Sequence, residues 1–308
     1  MKKITLLFVL IVGIAKSQQL PQLTQFMIND YAINPAIAGM DNYYQVKTSV
    51  RNQWVGINDA PKTTLLSIYG RHANNVGLGG SVFNDQVGPT SRSGASVTYA
   101  YHFNITPIIK ASMALSGGFT QFKIDKTGWN LADGGNRDQL LEGAEVVDLV
   151  PDATFGVNFY KKDEWYIGVA VPQLLNSKLA LIDDDFANNV SVDLDGSLSR
   201  HIYAMGLYHI RINNYWDIEP SMLFKYTSSE SILDIGAKTI YKDNFWMGLD
   251  YRTNGDLSAL FGVNLKDRYM IGYSYDILTS SLNEFSSGSH EFMFGLSFFP
   301  FTEKQITR

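Results

Sequence analysis

The chain has 308 residues, 45% hydrophobic, 13% aromatic and 18% charged, with 26 Gly and a formal net charge of -5. Its acidic balance supplies no basic face for nucleic acid. The count of zero cysteines excludes a disulfide framework, thiolate metal sites and a lipid-modified N-terminal Cys.

The chain opens with Lys2 and Lys3, an apolar run from Ile4 to Ile14, and small residues at Ala15 and Ser17. This pattern predicts a secretory signal peptide over residues 1–17, cleaved near Ser17–Gln18. The run is shorter than the roughly 20 apolar residues a membrane helix needs, and no later stretch reaches that length. An exported chain of this kind is either soluble or a β-barrel. Residues 18–42 form a separate N-terminal segment, because they lack strand alternation. A short helix and turn is expected there, stopped at Asn34–Pro35 and placed at the periplasmic mouth or in the lumen.

From residue 43 onward, period-2 runs recur, and side chains on a strand alternate faces. Residues 111–122 place Met113, Leu115 and Phe119 opposite Ser112, Ser116 and Thr120. Residues 215–226 set Trp216, Ile218, Met222 and Phe224 against Asp217, Glu219, Ser221 and Lys225. Residues 245–252 and 268–276 repeat the pattern, as do residues 290–299, where Phe292, Phe294 and Leu296 oppose Glu291, Met293 and Gly295. One face suits lipid, and the other would make a poor protein core. Aromatics gather at strand ends, as in Trp165–Tyr166, Tyr215–Trp216 and Tyr99–Tyr101, which fits an interfacial girdle.

These runs predict about 14 strands. Connections after even-numbered runs are short, such as 72–74, 161–164, 213–214, 242–243 and 266–267, whereas the long ones, near 123–151, 173–197 and 277–289, follow odd-numbered runs. Sorting of that kind is the mark of outer-membrane barrels, with short periplasmic turns and long external loops. The predicted fold class is therefore all-β, a transmembrane antiparallel outer-membrane β-barrel over residues 43–300 with a C-terminal tail at 301–308.

Catalytic and metal-binding patterns are lacking in the sequence. His72, His102, His201, His209 and His290 share no ligand-like spacing. The GLGG at 77–80 lies within a strand pattern and has no following Lys–Ser/Thr, so close backbone packing explains it better than phosphate binding. Asp183, Asp184, Asp185, Asp193 and Asp195 lack a calcium-loop spacing and read as a solvated external loop. No nucleophile–base pair stands out, so a non-enzymatic chain without cofactor is expected. Trp129, Leu140, Leu141 and Val150, in the long loop at 123–151, offer apolar anchors for a partner or packing against the barrel.

Several strings, in order, resemble the PorP/SprF family of type IX secretion system membrane proteins. They begin with Gln25, Phe26 and Asn29, then Asn34, Pro35, Ala36 and Gly39. They continue through Arg51, Gln53, Trp54, Gly56 and Pro61, and then Gly77, Gly79, Gly80, Asn84, Asp85, Gly88 and Pro89. The resemblance implies an outer-membrane protein of Bacteroidota that works with periplasmic ring and peptidoglycan-linked components of type IX export. It also implies association with large secreted surface adhesins, including those used for gliding. An outer-membrane channel for a small or hydrophobic solute is the alternative.

Overall fold

The computed structural model describes residues 22–125, 145–179, 196–253, 255–266, 268–279 and 281–298. The predicted signal peptide, the C-terminal tail at 301–308, Trp129, Leu140, Leu141 and the Asp183–Asp195 cluster lie outside the described residues.

The strands are β1 (Tyr44–Asn52), β2 (Lys62–Ala73), β3 (Val76–Val87), β4 (Thr90–Asn104), β5 (Lys110–Asp125), β6 (Glu145–Lys161) and β7 (Trp165–Val171). They continue with β8 (Ile202–Tyr208), β9 (Trp216–Tyr226), β10 (Ser231–Tyr241), β11 (Phe245–Arg252), β12 (Asp256–Leu265), β13 (Tyr269–Leu278) and β14 (Ser289–Phe298). Each pairs antiparallel with its sequence neighbours, and β1 pairs with β14 from Tyr44↔Phe298 to Asn52↔His290. That seam closes a 14-stranded outer-membrane barrel, in which no sheet edge is left to seek hydrogen bonds in lipid.

Alternation is carried through. Leu115, Met247, Leu249, Phe292 and Phe294 point outward and are exposed, while Ser112, Ser116, Asp250, Arg252 and Glu291 point inward and are buried. In water so continuous an apolar exterior would aggregate; lipid is the medium that satisfies it. At the end bearing short turns, Tyr101, Tyr208, Tyr215, Trp216, Phe245 and Tyr269 ring the outside as an aromatic girdle. Tyr166 departs from that expectation: it is buried on the inner face, because the outward phase of β7 belongs to Ile167 and Val169.

The wall is uneven. β6 has 17 residues and β7 has 7, so at ~3.3 Å per residue they run roughly 55 and 23 Å. Strands β5 and β6 continue through the residues expected at the start and end of the 123–151 loop, pairing from Asp125↔Glu145 onward. Val150 is consequently an inward strand residue, buried with Leu179, Leu198 and partly buried Phe122, rather than a free loop anchor. Likewise Gly88–Pro89 is a tight turn between β3 and β4. Only the lower part of β6, Phe155–Lys161, pairs with β7. Its upper edge is covered by the residues after β7, where Leu174 donates to Ala153 O at 2.8 Å and Ser177 Oγ to Pro151 O at 2.6 Å.

Depth-dependent cost follows from this arrangement. Leu115→Arg and Phe294→Arg, at mid-strand on the lipid face, are predicted to destabilise the barrel by about 2–4 kcal/mol, against about 0–1 kcal/mol for Leu257→Arg at the external end of β12. Denaturant titration of the three variants folded into vesicles measures the difference, and equal costs would overturn the depth assignment.

Candidate functional site: the luminal segment and its seat

Residues 22–40 do not join the wall. They run inside it, and Thr24, Gln25, Phe26, Asn29, Asn34, Ala36 and Ala38 are all fully buried or nearly so. Where a short helix stopped at Asn34–Pro35 is expected, the segment makes two single-turn 3₁₀ helices, Asp30–Ala32 and Pro35–Ile37, the second beginning at that proline. The second is capped by Asn34, whose Oδ1 accepts from Ala36 N at 3.0 Å. Pro35 at its first position fixes φ where no amide donor is needed.

The first residues sit on charge. Arg51 of β1 donates to Asp276 Oδ2 of β13 at 2.5 Å and stands 3.3 Å from Glu291 Oε2 of β14, all three at most 1% exposed. Thr24 completes the cluster: its amide donates to Glu291 Oε2 at 2.8 Å and its hydroxyl to Asp276 Oδ2 at 2.8 Å. Gln25 Nε2 donates to Glu291 O at 3.0 Å, and Ser49 Oγ to Glu291 Oε1 at 2.7 Å. One guanidinium and several hydrogen-bond donors thus hold two carboxylates out of water, the kind of pairing under which buried ions are tolerated.

Farther along, the segment touches most of the wall. Lys47 of β1 donates to Ile28 O at 2.5 Å, and the Tyr31 ring stacks on Tyr69 of β2 with centroids 4.4 Å apart. The Tyr31 hydroxyl lies 2.7 Å from Thr98 Oγ1 of β4. Asn34 Nδ2 donates to Val157 O at 3.0 Å, and Ser112 Oγ to Ala36 O at 2.7 Å. His102, bonded to Tyr160 Oη, also meets Ala38 O at 2.8 Å.

Here the GLGG string is explained. Gly77 and Gly79 face inward, and a Cβ on Gly77 would lie 1.9 Å from Ala38 O, one on Gly79 2.6 Å from Tyr31 Oη. Gly39, at φ +84°, supplies the left-handed turn by which the chain leaves this seat toward β1. The segment therefore descends from the external half, near the ends of β1 and β13, to the periplasmic mouth beside the starts of β3 and β1.

Of the motif residues, Gln25, Phe26, Asn29, Asn34, Pro35, Ala36, Gly39, Arg51, Gly77 and Gly79 belong to this seat. The others do not. Gly80 backs onto Ser96 O, and Asn84 is exposed, accepting from Ser93 Oγ at 2.7 Å. Gln53, Trp54, Gly56 and Pro61 shape the external β1–β2 loop, where Gln53 N donates to Pro61 O at 2.9 Å and Trp54 has φ 47°. Asp85 accepts from Thr63 Oγ1 at 2.6 Å, and Gly88 N donates to Asp59 O at 2.9 Å. Asp276, Glu291, Tyr31 and His102 complete the seat with Thr24, and carboxylates in the inward phase of β13 and β14 are the sequence signal for Asp276 and Glu291.

In the external half, beside the segment, lies a cavity of about 180 Å³ bordered by β2–β6, β8 and the residues after β7.

The sequence profile of type IX secretion system membrane proteins PorP/SprF matches residues 15–296. The chain belongs to this family. Among solved structures this PorP/SprF barrel is similar to CymD, a monoaromatic hydrocarbon channel, at 12% identity and a TM-score of 0.48, with 83% of this chain and 88% of that one covered. It is also similar to a Pseudomonas aeruginosa FadL homologue, at 11% identity and a TM-score of 0.47, covering 94% and 96%. The Acinetobacter baumannii outer membrane protein Omp33 gives 7% identity and a TM-score of 0.45, covering 84% and 99%. No curated protein sequence matches the chain significantly.

Two substitutions separate the charge cluster from the steric seat. Arg51→Met leaves two buried carboxylates without their cation and is predicted to cost about 3–5 kcal/mol in denaturant titration. Gly77→Val places a side chain where Ala38 O lies and is predicted to displace the segment. A cysteine at position 25 (Gln25→Cys) then labels quickly with a thiol reagent in the Gly77→Val background and stays protected without it.

Proposed function

We propose that this protein acts by binding rather than catalysis, as a docking and anchoring barrel of the type IX secretion machine. In this reading the lipid-embedded wall holds the protein in the outer membrane. Its periplasmic rim, with short turns and the foot of the luminal segment, meets the periplasmic ring and peptidoglycan-linked proteins of the apparatus. The external rim, heightened along β3–β6, holds a large secreted surface adhesin such as those used in gliding. A signal peptide over residues 1–17 delivers the chain for assembly.

The observation that supports this reading is the filled lumen. A segment held by Arg51, Asp276 and Glu291 and packed against β1–β6 makes a poor conduit, so the two rims become the working surfaces. A second reading, an outer-membrane channel for a small or hydrophobic solute, draws support from the external-half cavity alone. It requires the segment to move, against buried ionic contacts that are costly to break.

Deleting residues 22–38 discriminates between the two. The docking reading predicts that the wild-type barrel shows no single-channel conductance and co-purifies with type IX components. The deletion variant is predicted to insert, to conduct, and to lose adhesin from the surface proteome. Solute-dependent uptake by the wild type with an unchanged surface proteome on deletion would favour the channel.

A further inference from the structure

The external-half cavity carries more than apolar surface. Its walls include Leu23, Tyr31 and Ile33 of the luminal segment with Leu65, Phe83 and Tyr203 of the barrel. Hydroxyls of Thr63, Ser81, Ser96, Ser116, Thr120 and Thr154 line it as well, together with three stronger polar groups, Arg92, Asp152 and Gln173. Arg92 is 8% exposed, and among the described residues it makes no ion pair and its buried Nε has no hydrogen-bond partner. The guanidinium is instead positioned over aromatic rings, 5.2 Å from the Phe83 centroid and 5.9 Å from that of Phe122. Its cross-strand neighbour Asp85 is engaged by Thr63 Oγ1. A cation held this way on aromatic faces keeps its N–H edge for an anion.

The opposite pole is equally prepared. Gln173 is 2% exposed, its Oε1 has no partner, and its backbone sits at φ 55°, a left-handed conformation that a non-glycine residue adopts at a cost. The bond from Leu174 N to Ala153 O brings Gln173 beside Asp152, whose Oδ1 already accepts from Ala153 N at 2.7 Å. Asp152 and Gln173 thus border the same cavity as the Arg92 guanidinium, which forms no direct ion pair with either of its acidic neighbours, Asp85 and Asp152, among the described residues. A buried guanidinium Nε and a buried amide oxygen, both without a partner, beside a partly exposed carboxylate, suit a ligand that carries both an anion and a cation.

We propose that this cavity binds an apolar α-amino acid, with the carboxylate on Arg92, the ammonium toward Asp152 and Gln173 Oε1, and the side chain among Leu23, Ile33, Leu65 and Phe83. A cavity of about 150 Å³ accepts a benzene-sized guest, so the 180 Å³ here suits a leucine or phenylalanine side chain. The ligand touches the luminal segment and the wall together, and its binding holds the two in place. The site stands on its own geometry and does not depend on the docking reading.

Calorimetric titration of the full-length mature protein in detergent micelles tests it, with L-phenylalanine, L-leucine, 3-phenylpropionate and phenethylamine as probes. Both amino acids are expected to bind saturably, and L-phenylalanine at least about tenfold more tightly than 3-phenylpropionate, which lacks the ammonium, or phenethylamine, which lacks the carboxylate. Arg92→Gln is expected to weaken L-phenylalanine about tenfold or more, with folding verified by heat-modifiability. Gln173→Leu, which leaves the charged cluster of the seat untouched, is expected to weaken L-phenylalanine severalfold while leaving 3-phenylpropionate unchanged. Absence of saturable amino-acid binding at millimolar concentration overturns the proposal, and so does equal affinity for 3-phenylpropionate. Unchanged L-phenylalanine affinity in both variants overturns it too.

Discussion

Hydrocarbon offers no partner to a peptide group, and the architecture of this chain answers that single condition. Every strand must bond to a neighbour on both sides, so the sheet returns on itself through the β1–β14 seam. Closure then divides the side chains into two populations with a period of two. The outer one faces a medium that rejects charge; the inner one faces a space too narrow to be bulk water and too polar to be a dry core. Serines, glycines and charged residues in that inner phase need something to pack against and bond to. The N-terminal segment supplies it, offering Thr24 to the carboxylates, Asn34 to a strand carbonyl and Tyr31 to a tyrosine of the wall.

The wall was therefore largely legible in the sequence, because lipid enforces alternation at nearly every position. Leu115 and Phe294 could be assigned a face from their neighbours alone, and turn lengths ordered the two ends. The interior was not legible in the same way. Nothing in Asp276 or Glu291 taken singly tells a lumen-facing carboxylate in water from one bonded to Arg51 across two strands. Residues 22–40 have no period that matches their structure, because their conformation is imposed by the space they fill. The GLGG string was read as close packing, and the approaching chain is the segment itself, a contact between residues 38 and 77 that no local pattern encodes. Strand ends extend past the expected ones where alternation continues into the 123–151 connection, as at Val150.

The tall β3–β6 wall and the low β7–β8 wall give the external end an asymmetric rim. The residues after β7 fold back to cover the unpaired edge of β6, burying Leu179 and Leu198 on Val150. An open edge there would invite strand addition by any passing chain. The same turn back places Gln173, at φ 55°, on the border of the cavity.

The register of the seam has a consequence for how the molecule is made. Arg51 and Glu291 are direct partners across β1 and β14, the first and last strands to leave the export channel, and Thr24 bonds to the same carboxylate. The first strand cannot find the last until the whole chain has arrived, and the ionic pair that marks correct arrival is incomplete without the threonine. Closing the cylinder and seating its own N-terminal chain therefore meet at one carboxylate. A barrel that closed without its filling would keep Arg51 beside Glu291 but leave that carboxylate short of the Thr24 amide.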